Sequence, residues 1–355
     1  MAAKYQFLAD QLRDELSRSS GQPGYKLPTE QELSRQYHLS RQTVRHALRL
    51  LEEEGLIQRR QGSGSYATGL PPGTAPHQIA IVASFLDDYI FPVILHDASD
   101  VFSRQGYSTA VYATGNQVGT ERAVLLRLLE EPVSCLLVEG AKTALPTPNA
   151  GLYQRLLRAG TPVVFLHGAC AGLDRVPCVA DDNYGGGYKL ARYLAGKGHR
   201  EIAGIFKSDD IQGPQRYHGA VSAFRDAGLP IQDGRFAWYD TEDRRCLLEE
   251  QEESFLTEFL RRRLGDATAV ICYNDEIAYR LIQALLAAGR RVPEDVAVVS
   301  FDNSYLSQLG PVPITSLSHR SRMGQEAAEQ MVRLLQGEAV HSRSLEWDLI
   351  VRSSG

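Results

Sequence analysis

From Gln78 to about Asp302 short apolar runs alternate with amphipathic stretches, and this alternation limits the fold more than any other feature of the chain. QIAIVASF, YSTAVYAT, VSCLLVEG, PVVFLHG, CVADD, EIAGIFK, RFAWYD, AVICYND and VAVVSFD read as strands. Between them FPVILHDASDVFSRQG, TERAVLLRLLEE, NAGLYQRLLRAG, GGGYKLARYLAGKG, GPQRYHGAVSAFRDAG, SFLTEFLRRRLG and EIAYRLIQALLAAG carry helical spacing. Strand–helix alternation of this kind builds parallel sheets covered by helices. One sheet of so many strands would be unusual, so two doubly wound lobes are predicted. Ligands of such folds bind at the carboxyl ends of the strands, which here face each other across a cleft.

The first 70 residues follow a different rhythm. A helix from Tyr5 to about Arg18 is expected to bury Tyr5, Leu8, Ala9, Leu12 and Leu16 on one stripe. Thr29 and Glu32 form a capping box for the next helix, and Ser40 is placed to cap a third. On that third helix Val44, Ala47, Leu48 and Leu51 share an apolar face, while Arg41, Gln42, Arg45 and Arg49 project from the other side. Arg and Gln make paired hydrogen bonds to base edges, and Arg also neutralises phosphates. After Gly55, LIQRR, GSG and SYA predict a small hairpin carrying Arg59, Arg60 and Gln61. Helix, turn, recognition helix and basic wing in this order make a winged helix-turn-helix. A helical hairpin with a solvated charged face would explain the charges but not the cap and wing that flank them.

At 355 residues the chain exceeds one typical core. Pro71, Pro72 and Pro76 fall in an aperiodic stretch, so we expect a DNA-binding domain over 1–70, a semi-stiff linker over 71–77 and a two-lobed domain over 78–355. Residues 1–69 hold 10 Lys/Arg against 8 Asp/Glu, leaving −7 of the total −5 for the rest. A positive head on an acidic body suits nucleic-acid contact at one end. Cys135, Cys170, Cys178, Cys246 and Cys272 form no C-x-x-C pair and no metal-ligand spacing, so reduced thiols and no metal are expected. Without a signal peptide or a long apolar run, a soluble cytoplasmic protein with no membrane partner is expected.

KYQFLADQL together with KLPTEQELSRQYHLSRQTVRHALRLLEEEGLIQRRQGSGSYA resembles the GntR family of bacterial regulators across nearly all of the first 70 residues. The resemblance implies that Lys4, Lys26, Glu30, Arg41, Thr43, Arg45, Gln61 and Gly62 lie where that family contacts operator DNA. The body resembles the periplasmic-binding-protein-like core of the LacI/GalR regulators, through DDNYGGGYKLARYLAGKGHREIAGI, QRYHGAVSAFRDAGL, AVICYNDEIAYRLIQALLAAGRRVPEDVAVVSFDNS, PITSLSHRSRMGQEAAEQMVRLL and LIVRSS. DDYIFPVI, VEGAKTALPTPN, IFKSDDIQGPQRYHG and CYNDEIA are similar to the arabinose-responsive subgroup of Gram-positive bacteria that joins these two parts. The three prolines of the linker rule against the hinge helix found in LacI-type regulators.

A sugar site needs carboxylates, amides, cationic donors and an aromatic face. Strand ends supply Asp88, Tyr89, Phe91, Glu139, His167 and Lys207. The LacI-type resemblance adds Arg216, Asn274, Asp302 and His319 as effector-holding positions. Each also fits a solvated loop position, and Tyr89, Phe91 and His167 fit a core role. Asp275 and Glu276 open a helix and are expected to cap it rather than to form a catalytic pair. GAKT at 140–143 is a weak trace of a phosphate loop, and Gly185, Gly186 and Gly187 suit close packing where the chain passes between lobes.

These features point to a repressor that binds double-stranded operator DNA as a homodimer, because one recognition helix reads too few bases. The resemblance implies release by a monosaccharide, L-arabinose, and control of arabinose uptake and catabolism genes. Another pentose, a hexose or a nucleoside remains open as effector. A sugar-acting enzyme is the remote alternative, for which no catalytic set or cofactor fingerprint is present in the sequence.

Overall fold

The structure is a computed structural model describing residues 4–18, 24–53, 56–60, 64–67, 78–86, 89–248 and 254–355. Backbone contacts divide the chain into two compact units, Met1–His77 and Gln78–Gly355.

The first unit runs α1 (Lys4–Arg18), α2 (Glu30–Gln36), α3 (Arg41–Glu53), β1 (Ile57–Arg60) and β2 (Gly64–Ala67). Leu8, Ala9, Leu12 and Leu16 of α1 pack against Leu33 and against Val44, Ala47, Leu48 and Leu51 of α3. Tyr5, expected on the same stripe, is only partly buried, its ring edge-on to His46 with centroids 4.2 Å apart. At the start of α2 the Glu32 N–H donates to Thr29 Oγ1 at 3.3 Å, and the Thr29 N–H donates to Glu32 Oε2 at 2.7 Å. A cap of this kind contributes about 1 kcal/mol. Ser40 starts α3 by accepting the Thr43 N–H at 3.2 Å. β1 and β2 pair antiparallel with Ile57 opposite Ala67, forming the wing. Gly64, at φ +115°, takes a backbone conformation that suits glycine. The wing-tip residues Gln61 and Gly62, and the proline stretch 71–77, lie outside the described residues.

The second unit begins β3 (Gln78–Ala83), α4 (Phe91–Arg104), β4 (Ser108–Ala113), α5 (Val118–Glu130), β5 (Cys135–Val138), α6 (Ala150–Arg158), β6 (Val163–Leu166) and β7 (Cys178–Asp181). It continues α7 (Asn183–Gly196), β8 (Ile202–Lys207), α8 (Gln212–Asp226), β9 (Phe236–Tyr239), α9 (Thr241–Leu248) and α10 (Ser254–Glu258), which leads into a π-helical turn at Phe259–Leu264. Then follow β10 (Ala269–Cys272), α11 (Asp275–Ala287), β11 (Ala297–Phe301), α12 (Leu306–Leu309), β12 (Thr315–His319), α13 (Met323–Leu335), β13 (Arg343–Leu345) and β14 (Trp347–Ile350).

The strands form two sheets, ordered β13-β7-β6-β5-β3-β4 and β14-β12-β11-β10-β8-β9. All pairs are parallel except β12 with β14. Each sheet is covered on both faces, as two-sided apolar strands require. In β3, Ile79, Ile81 and Ala83 face α4 and α13, while Ala80 and Val82 face α5 and α6. In β8, Ala203 and Ile205 face the side of α11, while Ile202 and Phe206 face α7 and α8. The chain passes between the two lobes three times, after Asp181, after His319 and after Leu345.

Gly185 to Gly187 serve packing. Asp182 caps α7 by accepting the Gly185 N–H at 2.8 Å, and a Cβ on Gly187 would run into the Arg216 carbonyl of α8. Among the described residues no helix is long and apolar enough to cross a membrane.

Candidate functional site

The first unit gathers its polar side chains on the face opposite its core. Arg41, Gln42, Arg45 and Arg49 of α3 are exposed, and Thr43 partly so. Ser40, Gln42, Thr43, Arg45, His46 and Arg49 line one depression with Tyr5 of α1 and Arg59 of β1. The Arg45 guanidinium donates to Glu30 at 3.1 to 3.3 Å, and Arg59 lies 3.3 Å from Glu52 and 3.9 Å from Glu30. Arg59 also donates to the Arg45 carbonyl at 3.3 Å, tying the wing to the helix. Lys26 Nζ sits 5.7 Å from the Tyr66 ring centroid, at the base of β2. Of Lys4 only the backbone, which opens α1, is described.

In the second unit one cleft lies where the carboxyl ends of both sheets meet, with about 630 Å³ of unfilled space including its open mouth. Phe91, Glu139, His167, Lys207, Arg216, Asn274, Asp302 and His319, all expected from the sequence, line it. Tyr89 stands behind this wall, its hydroxyl donating to Asp302 Oδ2 at 2.6 Å. Asp88 lies outside the described residues.

Arg216 is the most heavily held of these side chains. It is 2% exposed, with its guanidinium 4.1 Å from the Phe301 ring centroid and 4.7 Å from that of Tyr273. Its Nε donates to Asn183 at 2.9 Å and an NH2 group to the Tyr273 carbonyl, leaving one NH2 group 3.7 Å from Asp302. Burial raises the Asp302 pKa despite the opposing pull of Arg216 and His319. Asn274 spends its oxygen on capping α11 through the Ile277 N–H at 3.0 Å, so only its amide N–H donors face the cleft. Burial likewise raises the Glu139 pKa, and its carboxylate accepts the Ser84 N–H at 2.8 Å. Lys207 is nearly buried, yet Asp210 and Asp209 outweigh that burial and raise its pKa.

Several lining residues lie beyond those expected from the sequence. Asp181, Asp210, Gln212, Tyr239, Arg244 and Tyr273 enter the cleft because the fold brings them there. Asp181 and Asp210 do end or follow strands, a position that could have flagged them. Arg244 reaches in from α9 and stacks 4.3 Å from the Phe85 centroid.

A clasp spans the lobes beside the cleft. Asn116 donates to Asp210 at 3.0 Å and to Thr241 at 2.7 Å, and Lys142 Nζ donates to Asp209 at 3.1 Å. Thr143 Oγ1 accepts the Ile211 N–H at 3.0 Å. The GAKT segment is therefore a structural hook. Asp275 does not cap its helix as expected: Asn274 does that. Asp275 is fully buried and accepts from Ser304 N–H at 2.6 Å, Ser316 at 2.7 Å and Ser300. Glu276 pairs instead with Arg244 at 3.3 Å.

Comparison with known proteins agrees with both units. The gntR family of bacterial regulatory proteins matches residues 4–66, and the periplasmic binding protein-like domain matches residues 191–355. An arabinose metabolism transcriptional repressor of Halalkalibacterium halodurans is 33% identical over 95% of this chain and 91% of its own. One from Geobacillus stearothermophilus is 34% identical over 94% and 93% respectively. Among solved structures, a transcriptional regulator CelR–cellobiose complex superposes with TM-score 0.69 at 24% identity, covering 93% of this chain and 100% of that one. A LacI transcriptional regulator from Alkaliphilus metalliredigens complexed with D-xylulofuranose covers 78% of this chain and 98% of its own, with TM-score 0.65 at 20% identity. At those identities the structures speak for the fold. The full-length relatives speak for the family: this chain belongs to the transcription regulators in which a gntR-type head precedes a periplasmic-binding-protein-like body, the family of the arabinose metabolism repressors.

Proposed function

We propose that this chain is a sugar-responsive repressor of arabinose uptake and catabolism genes, holding operator DNA as a homodimer and released when L-arabinose occupies the cleft. The observation that carries the reading is the set of charged and amide side chains converging on one cleft from both sheets, in a chain 33–34% identical along its length to two arabinose metabolism repressors. Glu139, Lys207, Arg216, Asn274, Asp302 and His319 supply donors and acceptors for several hydroxyls, with Phe91 as the apolar wall, His167 beside it and Tyr89 holding Asp302 from behind, and Asp88 is assigned to the same site from its sequence position. Lys26, Glu30, Arg41, Gln42, Thr43, Arg45, Arg49 and Arg59, with Lys4, Gln61 and Gly62, form the DNA contact. One head reads one half-site, so a pair is needed for selectivity.

Linkage then requires sugar and operator to oppose each other reciprocally. The test is calorimetry against pentoses, hexoses and purines, followed by operator affinity with and without each binder. L-arabinose should bind and lower operator affinity. Binding without any change in operator affinity would remove the regulatory reading. A response to a different small molecule would change only the ligand.

A further inference from the structure

Asp181 ends β7, the last residue before the chain first leaves lobe one. His319 ends β12 at the second passage, and Trp347 opens β14 just after the third. These three side chains touch. His319 Nδ1 lies 2.9 Å from Asp181 Oδ1, and the imidazole lies on Trp347 with ring centroids 4.4 Å apart. The hinge is thus tied across its three strands by one carboxylate, one imidazole and one indole.

The other Asp181 oxygen, Oδ2, is buried at the cleft wall and has no hydrogen-bond partner among the described residues. The residue as a whole is 4% exposed. His167 is near, 3.9 Å away at Nδ1, but that nitrogen is already engaged by the Gln212 amide at 3.1 Å. Tyr273 donates to Gln212 Oε1 at 2.8 Å, which turns the Gln212 NH2 group toward His167. At 3.9 Å, His167 Nδ1 is beyond hydrogen-bonding distance of Asp181 Oδ2. Arg216 gives its Nε to Asn183 and one NH2 group to the Tyr273 carbonyl, and none of its N–H groups hydrogen-bonds Asp181 Oδ2. A buried carboxylate oxygen without a donor is costly, and a ligand hydroxyl at that point would remove the cost.

We propose that Asp181 is an effector contact: its free oxygen accepts a hydroxyl of the bound sugar, while His319 holds the carboxylate in place at the hinge. This rests on the reading of the cleft as a sugar site and adds the residue through which the ligand meets the hinge itself. Asp302 lies across from it on the other lobe, so one polyol can be gripped by a carboxylate from each side.

The experiment is a cycle between protein and ligand. Full-length wild type and Asp181→Asn are titrated calorimetrically with L-arabinose and its singly deoxygenated analogues. Removing the hydroxyl that meets Asp181 should weaken wild type at least tenfold but change D181N by less than about threefold, because coupling is confined to groups in contact. D181N should bind L-arabinose itself at least tenfold more weakly than wild type. A D181N that weakens every analogue by the same factor, or none, overturns the contact while leaving the sugar reading intact. Wild type that binds no L-arabinose overturns the ligand reading, and the contact with it. Should D181N fail to fold, a crystal structure of wild type with L-arabinose decides: a sugar hydroxyl at hydrogen-bonding distance from Asp181 Oδ2 supports the contact, and its absence overturns it.

Discussion

Arg45 donates to both carboxylate oxygens of Glu30, through Nε at 3.3 Å and through an NH2 group at 3.1 Å, across the turn from α3 back to the start of α2. Both side chains reach solvent, and exposed pairs of this kind add little stability. The consequence is for recognition: the carboxylate steers the guanidinium on the face proposed to meet DNA. Arg45→Ala should cost operator binding roughly 1–3 kcal/mol and leave random DNA nearly unchanged. Glu30→Gln should raise affinity for random DNA more than for operator, because it removes a negative charge and frees Arg45. Fluorescence anisotropy with both DNAs at several salt concentrations measures this. Equal losses on both DNAs for Arg45→Ala would make it a phosphate contact.

Arg216 and Asp302 face each other in the cleft, yet their substitutions should behave differently. Arg216 is packed against Phe301 and Tyr273 and bonded to Asn183, so Arg216→Ala removes core packing as well as a donor. We expect it to lower the melting temperature of the body along with sugar affinity. Asp302→Asn keeps the shape and the partner Tyr89, and should cut sugar affinity at least tenfold with little change in melting. The Asp302→Asn protein should still hold operator and fail to release it when L-arabinose is added. Release at the wild-type sugar concentration would exclude Asp302 from the site.

The alternation of strands and helices was legible because each sheet is buried on both faces, which makes its strands apolar runs bounded by turn residues. Asn274 and Asp302 stood out because a family motif and a strand end coincide there, and Arg216 because it lies in the QRYHG motif of the helix after β8. Arg244 did not, since its place in the cleft depends on how the lobes pack rather than on local pattern, whereas Asp181 ends a strand and opens the DDNYGGG motif and could have been named. Asp275 misled for the opposite reason: its position fits a cap, but burial turned it into a brace for the loop that carries Asp302.

Two helical glycines should differ sharply in tolerance. A Cβ on Gly187 meets the Arg216 backbone carbonyl, which cannot swing away as a side chain can. Gly187→Ala should cost about 1–3 kcal/mol or more through overpacking, and should weaken sugar binding by displacing α8. Gly119, in α5, has open space at its Cβ. Gly119→Ala should be neutral or stabilising by up to about 1 kcal/mol, the usual helix gain over glycine. Thermal melts of the two variants decide it, and equal melting temperatures would show that α7 and α8 adjust freely.

Asp275 gives the body a pH dependence of known sign. Its carboxyl is fully buried, and burial, with Asp302 adding to it, pushes its pKa up to about 6 although Ser300, Ser316 and Ser304 donate to it. A carboxyl raised in the folded state binds its proton more tightly there than in the unfolded chain. Its contribution is therefore fully present below about 3.8, the unfolded value, and is lost as pH rises through about 6. By pH 7.5 the loss amounts to roughly 2–3 kcal/mol, at about 1.4 kcal/mol for each pKa unit. Asp275→Asn keeps an acceptor for the Ser304 N–H, and its NH2 group can donate to serine hydroxyls that rotate to accept. The stability of D275N relative to wild type should accordingly rise by about 2 kcal/mol between pH 4.5 and 7.5, the part of the loss that falls above pH 4.5. Urea unfolding followed by tryptophan fluorescence reads the body alone, because both tryptophans, Trp238 and Trp347, lie in it. A difference between D275N and wild type that stays constant across this pH range would mean that Asp275 is ionised throughout, with the serine donors outweighing burial.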